Sequence, residues 1–165
     1  MTTWTAFRTC IVLPLAAVLL QGADEPKPGR YRGSGYLVAG FGRCQHGVTN
    51  MSAGGGGDGF LWRGLTLGGD VGVYAFTGRG SFRLGLATLN VGYSFANRNR
   101  RGRFEPFVNA GVVGVGFGPG VAQAAAAGGG LHYWFKPRVG LRTECRVMAV
   151  ADEVLTIFRI GVSFR

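Results

Sequence analysis

The sequence predicts an all-β protein, an eight-stranded antiparallel up-and-down transmembrane β-barrel. Three observations support this prediction. Apolar residues alternate with small or charged residues along successive segments, which is the period of a strand with one apolar face. The segments have about the length of a tilted strand that crosses a bilayer. Glycine accounts for 31 of the 165 residues, and no segment has the period of an amphipathic helix.

Length and composition indicate one folded domain. A chain of 165 residues is long enough for a single core or a small barrel. Hydrophobic residues make up 47% of the chain and charged residues only 16%, which excludes a disordered tail. The net charge of +10 permits binding to nucleic acid, acidic lipid or lipopolysaccharide and does not choose among them.

The first residues have the order of an export signal. Arg8 precedes an apolar run from Cys10 to Leu20, and small residues up to Ala23 lead into a polar stretch. The run is shorter than the roughly 20 residues that a spanning helix needs. We therefore expect residues 1–23 to be a signal peptide and residues 24–165 to be the barrel domain of an exported protein.

Eight strands follow one another along the remaining chain. Turn signals lie at Trp62–Gly64, at residues 97–103 and at Lys136-Pro137, after the second, fourth and sixth strands. The other connections are richer in glycine, and short turns at one end with longer loops at the other are typical of outer-membrane barrels. The predicted strands are Gly35–Arg43, Thr49–Leu61, Leu65–Phe76, Leu84–Ala96, Phe104–Phe117, Ala122–Phe135, Arg138–Val150 and Leu155–Phe164.

The second strand is the weakest, because the run Gly54–Gly57 has little strand propensity. It is included because the turn that ends at Gly64 leads into a clear third strand. The third and fourth strands alternate regularly between an apolar and a small or polar face. Their apolar faces consist of Leu65, Leu67, Val71 and Val73, and of Leu89, Val91, Tyr93 and Phe95.

The fifth strand changes phase at Val112-Val113, where we expect a β-bulge. The seventh strand has a face from Val139 to Val147 that lacks charge and an opposite face with three charges. A charge that faces lipid costs roughly 2–4 kcal/mol near the midplane, so this register should be strongly fixed. The apolar face of the eighth strand consists of Phe158, Ile160, Val162 and Phe164.

Aromatic residues collect at the ends of strands, mostly beside the predicted short turns. Such residues are typical of the interfacial girdle of a membrane protein. The girdle predicted in this way consists of Tyr93, Phe95, Phe104, Phe107, Tyr133, Trp134, Phe135 and Phe164.

Four segments, Tyr36–Gly42, Pro106–Gly111, Gly128–Phe135 and Phe158–Phe164, resemble the small outer-membrane β-barrel family. That family includes the membrane domain of outer-membrane protein A and opacity-type porins. The resemblance covers the mature chain and consists of patterns rather than invariant residues. It implies a location in the cell outer membrane, periplasmic termini, contact with outer-membrane lipid and lipopolysaccharide, and insertion by the barrel assembly machinery. It implies no particular activity.

One feature departs from the family pattern. Family members usually end on the aromatic residue that the assembly machinery reads, whereas Arg165 follows Phe164 here. We therefore expect that the terminal signal of this chain is slightly imperfect.

Five charged residues have the parity of the barrel interior. They could line a small gated pore or form a structural network of ion pairs. The interior of an eight-stranded barrel is filled by side chains, and buried charges need partners, so the structural network is favoured. The five residues are Asp70, Arg142, Glu144, Arg146 and Arg159.

A basic periplasmic turn is predicted at Arg98, Arg100, Arg101 and Arg103. A nucleic-acid arm would have this composition, but export argues against it, and we expect no nucleic-acid partner. A solvated turn near anionic headgroups or peptidoglycan is the favoured interpretation.

His132, with Glu144 one strand away, suggests the general base of a barrel that deacylates lipid A. The His-x-Ser pairing of such enzymes is missing, because residue 134 is Trp. We therefore expect no enzyme activity and no catalytic, cofactor-binding or metal-binding residues.

The predicted function is that of a monomeric barrel in the outer membrane with a structural or surface-interaction role and a packed interior. Two alternatives remain open. One is a narrow porin-like channel, and the other is a soluble, lipocalin-like ligand carrier in the periplasm.

Overall fold

The computed structural model describes residues 33–44, 48–62, 64–77, 82–95, 103–117, 120–150 and 153–165. Each of its eight strands is antiparallel to the strand before it, and β8 pairs with β1 to close the barrel. The strands are β1 (Gly33–Cys44), β2 (Thr49–Trp62), β3 (Leu65–Thr77), β4 (Phe82–Ser94), β5 (Phe104–Phe117), β6 (Gly120–Trp134), β7 (Val139–Val150) and β8 (Glu153–Phe164). The predicted fold class is confirmed.

All eight predicted strands are present, and their ends agree with the structure to within two residues. The described residues include no helix that is long and apolar enough to cross a membrane. The predicted signal peptide, residues 1–23, lies outside the described residues, as do Arg98, Arg100 and Arg101 of the basic turn.

The β-bulge predicted at Val112-Val113 is wrong. Val112 pairs with Leu89 of β4, and the neighbouring residue Val113 pairs with Thr88, so the register continues without a shift. The sequence pattern changes there because Val113 and Val115 lie inside the barrel, where the interior side chains become apolar. The register shift lies in β2 instead, between Phe60 and Trp62.

The predicted division into short turns and longer loops is also wrong. The connections after β1 and β3 have four residues each, and those after β5 and β7 have two each. The longest connection, residues 95–103, follows β4 at the end where only short turns were expected. The strands are 12 to 15 residues long. They therefore include residues that were expected to form longer loops.

An apolar belt surrounds the barrel. The faces predicted for strands three, four, seven and eight are confirmed, since their apolar residues face outward. Most of the predicted aromatic girdle is also at the outer surface, but Phe107 and Trp134 are buried inside. Large hydrophobic side chains exposed on the belt include Leu37, Phe41, Leu67, Val71, Val73, Leu89, Val91, Val108, Phe158, Ile160 and Val162.

The belt ends at a row of outward polar residues near the connections after β1, β3, β5 and β7. Arg43 pairs with both Thr49 and Thr156, and Thr49 pairs with Thr77, so part of this row is continuous across four strands. The exposed residues of this polar row are Arg43, Thr49, Thr77, Arg83, Gln123 and Thr156.

At the level of the polar row the interior contains a hydrophobic cluster, here called the apolar plug. At this end the barrel is polar outside and apolar inside, as a soluble protein is. Within the belt it is apolar outside and polar inside. Strands of about 9–11 residues suffice to cross a bilayer, so the extra residues of each strand build this end. The plug consists of Tyr74, Phe76, Leu84, Leu86, Val113, Val115, Ala124, Ala126, Met148, Leu155 and Ile157.

Candidate functional site

Three arginines and three carboxylates meet in the middle of the barrel interior. Arg142, Glu144 and Arg146 alternate along β7, so that all three side chains point inward. Arg159 lies beside Glu144 on β8, and the two aspartates come from β2 and β3. We call these residues the charge cluster: Asp58, Asp70, Arg142, Glu144, Arg146 and Arg159.

Glu144 is the centre of the charge cluster. Its Oε2 accepts hydrogen bonds from Arg142 Nη2 at 3.0 Å and from Arg159 Nη2 at 2.7 Å. Its Oε1 accepts from Arg146 Nε at 3.0 Å and from Asn109 Nδ2 at 3.2 Å. The residue is 1% exposed, so these partners replace the water that the carboxylate loses on burial.

Asp70 joins two of the arginines on the other side of the interior. Arg146 donates to both of its carboxylate oxygens, from Nη1 at 3.1 Å and from Nη2 at 2.9 Å. Arg159 Nη1 donates to Oδ1 at 3.1 Å. The paired contact with Arg146 has the bidentate geometry of the strongest arginine–carboxylate hydrogen bonds.

Arg142 is held on several sides. Its guanidinium carbon lies 4.0 Å from the ring centre of Tyr36 and 4.1 Å from that of Phe107, which are cation–π distances. Its Nη1 donates to Asp58 Oδ2 at 2.9 Å. The same nitrogen is 3.0 Å from His132 Nε2, and because a guanidinium only donates, Nε2 accepts and the ring is the tautomer protonated at Nδ1.

The charge cluster has no net charge, since three arginines face three carboxylates. The structure brings together all five interior residues predicted from the sequence, Asp70, Arg142, Glu144, Arg146 and Arg159. That predicted set has an excess of one positive charge. Asp58 supplies the missing negative charge and was not predicted, although it has the same strand parity as the inward residue Ser52.

A glycine lies next to every member of the charge cluster in the hydrogen-bonded ladder. These neighbours leave the space that long side chains require inside a narrow barrel. At Gly40, for example, a Cβ atom would lie 2.7 Å from the Phe158 carbonyl oxygen and 3.0 Å from Arg159 Cγ. The pairs are Asp58–Gly68, Asp70–Gly56, Arg142–Gly161, Glu144–Gly130, Arg146–Gly128 and Arg159–Gly40.

A separate ion pair lies inside the barrel at the end opposite the apolar plug. Arg165 Nη1 is 2.8 Å from Glu105 Oε1, and Trp134 Nε1 donates to Glu105 Oε2 at 2.8 Å. The Arg165 guanidinium lies 4.1 Å from the centre of the Trp134 ring, and its Nε donates to the Pro137 carbonyl at 3.0 Å. The residue that departs from the family pattern thus has defined partners in the structure.

His132 lies inside the barrel, on the face opposite the belt. Its ring is stacked on Trp134 with centroids 5.5 Å apart and lies 4.9 Å from the ring of Phe107. His132 also lines a small cavity of about 20 Å³ with Asp58 and Glu105, which has room for about one water molecule. Among the described residues, no group of three or more His, Cys, Asp or Glu side chains could hold a metal ion.

Arg103 is the one member of the predicted basic turn within the described residues. It is exposed and lies at the rim of the barrel, apart from the charge cluster. Its carbonyl oxygen accepts a hydrogen bond from the Trp134 amide at 2.7 Å, which ties the start of β5 to the end of β6.

A closed barrel with an apolar belt outside and mutually paired charges inside has the features of a transmembrane β-barrel. No protein family model matches this chain, and no curated protein sequence matches it. Solved structures share its fold. Neisserial surface protein A (NspA) aligns with a TM-score of 0.63 at 15% identity, over 80% of this chain and 96% of that chain.

Two further solved structures give the same result. The N-terminal β-barrel domain of Pseudomonas aeruginosa OprF aligns with a TM-score of 0.55 at 18% identity, over 79% of this chain and 97% of that chain. Ail, the attachment invasion locus protein of Yersinia pestis, aligns with a TM-score of 0.51 at 10% identity, over 81% and 98%. The chain therefore has the fold of the small outer-membrane β-barrels, and the predicted resemblance is confirmed.

Removing the charge of Glu144 should destabilise the barrel strongly. In Glu144→Gln three buried arginines share two carboxylates, and breaking a buried ion pair typically costs about 3–5 kcal/mol. Urea unfolding in lipid vesicles measures the loss. Arg159→Gln in the same background restores the charge balance and should recover part of the stability. Additive losses in the double variant would contradict the coupling.

Space beside the charge cluster gives a second test. Gly40→Ala should lower the free energy of unfolding by about 1–3 kcal/mol, because the added methyl group overpacks the interior. Gly85→Ala is the matched control, since its Cβ would meet no atom within 4 Å. The free energy of unfolding of the control, measured with urea, should equal or exceed that of the parent chain. Equal losses of unfolding free energy in both variants would show that the interior glycines are not required for the room they leave beside the charge cluster.

Proposed function

We propose that this chain is an exported, monomeric barrel of the cell outer membrane with a structural or surface-interaction role and no catalytic activity. The observation that carries the proposal is the filling of the interior. The apolar plug occupies one end, the charge cluster the middle, and the Glu105–Arg165 pair the other end. Because the interior is filled, we assign the structural or surface-interaction role to the outer surface and the rims.

The interior argues against a narrow porin-like channel. The arginines and carboxylates that would line a pore bond to each other, and the apolar plug contains no charged group that would replace the hydration shell of an ion. Two cavities among the described side chains measure about 20 and 10 Å³, so each holds about one water molecule at most.

A soluble ligand carrier is also disfavoured. Ligand pockets measure about 300–1,000 Å³, whereas the cavity beside His132 measures about 20 Å³. The outside of the barrel argues in the same direction. Soluble proteins rarely expose apolar patches larger than a few hundred Å², and the belt exposes large side chains such as Leu37, Val91 and Ile160 on different strands.

Periplasmic termini, as in the family that the sequence resembles, would place the polar row at the cell surface. Lipopolysaccharide would surround the barrel at this level, where Arg43 and Arg83 are exposed on β1 and β4, two strands that are not neighbours in the sheet. The connections at this end have two to four residues each, so surface contacts would use the strand ends. Insertion of the closed barrel would require the barrel assembly machinery.

Electrophoresis and conductance together test the proposal. The barrel extracted from outer membranes should migrate faster unboiled than boiled, because a closed barrel resists detergent until it is heated. In planar bilayers the same preparation should give a flat current, with a known porin as the positive control. Discrete conductance steps would contradict the packed interior, and recovery in the soluble fraction would contradict the membrane location.

A further inference from the structure

We propose that the rim formed by β5, β6 and β7 binds the phosphate of an anionic phospholipid headgroup through Arg103, Lys136 and Arg138. The inference rests on the membrane location proposed above and specifies a lipid site within it. In the orientation with periplasmic termini, the site faces the periplasmic leaflet.

Backbone hydrogen bonds hold the three cationic residues in one sector of the rim. The Trp134 amide donates to the Arg103 carbonyl at 2.7 Å, so Arg103 lies beside the end of β6. Lys136 and Arg138 belong to the turn that follows, which is closed by the Lys136 amide and the Val139 carbonyl at 3.0 Å. All three side chains are exposed.

Arg103, Lys136 and Arg138 are not neutralised within the part of the chain that the structure describes. Within the described ranges, no carboxylate forms an ion pair with Arg103, Lys136 or Arg138. The acidic residue nearest in sequence, Glu105, is 6% exposed and pairs with Arg165 inside the barrel. The sector therefore presents three positive charges to its surroundings, whereas the arginines of the charge cluster are neutralised.

Aromatic residues place these cations at the depth of lipid headgroups. Phe104 directly follows Arg103 in sequence, and its ring packs on that of Tyr133 with centroids 4.8 Å apart. Phe135, which directly precedes Lys136, is 52% exposed. Aromatic side chains at the outer surface mark the membrane interface, so cations one residue beyond them lie among the headgroups.

The residue types suit a phosphodiester. An arginine fork donates two parallel hydrogen bonds to phosphate oxygens, and a lysine adds a compact positive charge. A soluble polyanion would meet the same charges but would gain nothing from the neighbouring apolar belt. The position of the cations next to the belt therefore favours a lipid over a soluble ligand.

Lipid titration of the purified barrel tests the site. The barrel in neutral detergent is titrated with phosphatidylglycerol, and bound lipid is counted by native mass spectrometry at low salt. Each neutralised cation should weaken binding about fivefold, since a basic residue near an anionic surface contributes about 1 kcal/mol. Arg103→Gln combined with Arg138→Gln should therefore weaken it roughly 25-fold. Phosphatidylcholine with the same acyl chains should bind the parent chain and this variant equally.

Matched controls separate the possible outcomes. Arg43→Gln with Arg83→Gln removes two exposed cations from the opposite rim and should change the affinity less than twofold. Equal losses in the two double variants would overturn the site in favour of a general charge effect. Inorganic phosphate or soluble polyphosphate that competes as well as the lipid would overturn the choice of ligand. The unboiled mobility of each sample reports on the barrel itself, so a failed fold is distinguishable from a failed lipid site.

Discussion

Closure of the sheet is the constraint on which the rest of this structure depends. Hydrocarbon offers no hydrogen-bond partner to the backbone, so strands cross a membrane only when each has a paired neighbour on both sides. Here β1 pairs with β2 and with β8, and no edge remains among the described strands. Once the sheet is closed, each side chain within the belt faces either the lipid outside or the narrow interior.

The composition of the interior follows from this constraint. Charged residues cannot face lipid at an acceptable cost, and inside a narrow barrel they have little water to solvate them. The charge cluster meets both conditions by balancing three arginines against three carboxylates around Glu144. Volume is the second condition, and the glycine beside each charged residue meets it. At Gly56, for instance, a Cβ atom would lie 2.6 Å from Asp70 Cβ. The abundance of glycine and the buried charges are thus two aspects of one packing arrangement.

Alternation along the chain was sufficient to predict the strands, their outward faces and five of the six clustered charges. It was not sufficient for Asp58, because the neighbouring glycines give no apolar face from which parity can be assigned. Only pairing across the closed barrel, which sequence spacing does not reveal, brings Asp58 to Arg142.

Two further errors arise at the level of the apolar plug. Alternation identifies a lipid-facing side only while the interior is polar, and where β5 passes the apolar plug, from Val112 to Gly116, both of its faces consist of apolar or small residues. The sequence pattern at Val113 therefore predicts a bulge, although the hydrogen-bonded ladder is regular there. The same change of polarity lengthens the strands beyond the belt, so segments expected as loops at Phe82–Arg83 and Glu153–Val154 belong to strands instead.

The isoleucines of β8 provide the most direct test of the inward and outward faces. Ile157 is fully buried in the apolar plug, whereas Ile160 is 46% exposed on the belt. Methyl NMR in nanodiscs with a spin label on the lipid chains reports which isoleucine touches lipid. The structure predicts that the Ile160 methyl signals broaden while those of Ile157 stay sharp. Equal broadening of both, or broadening of Ile157 alone, would contradict the arrangement of the barrel described above.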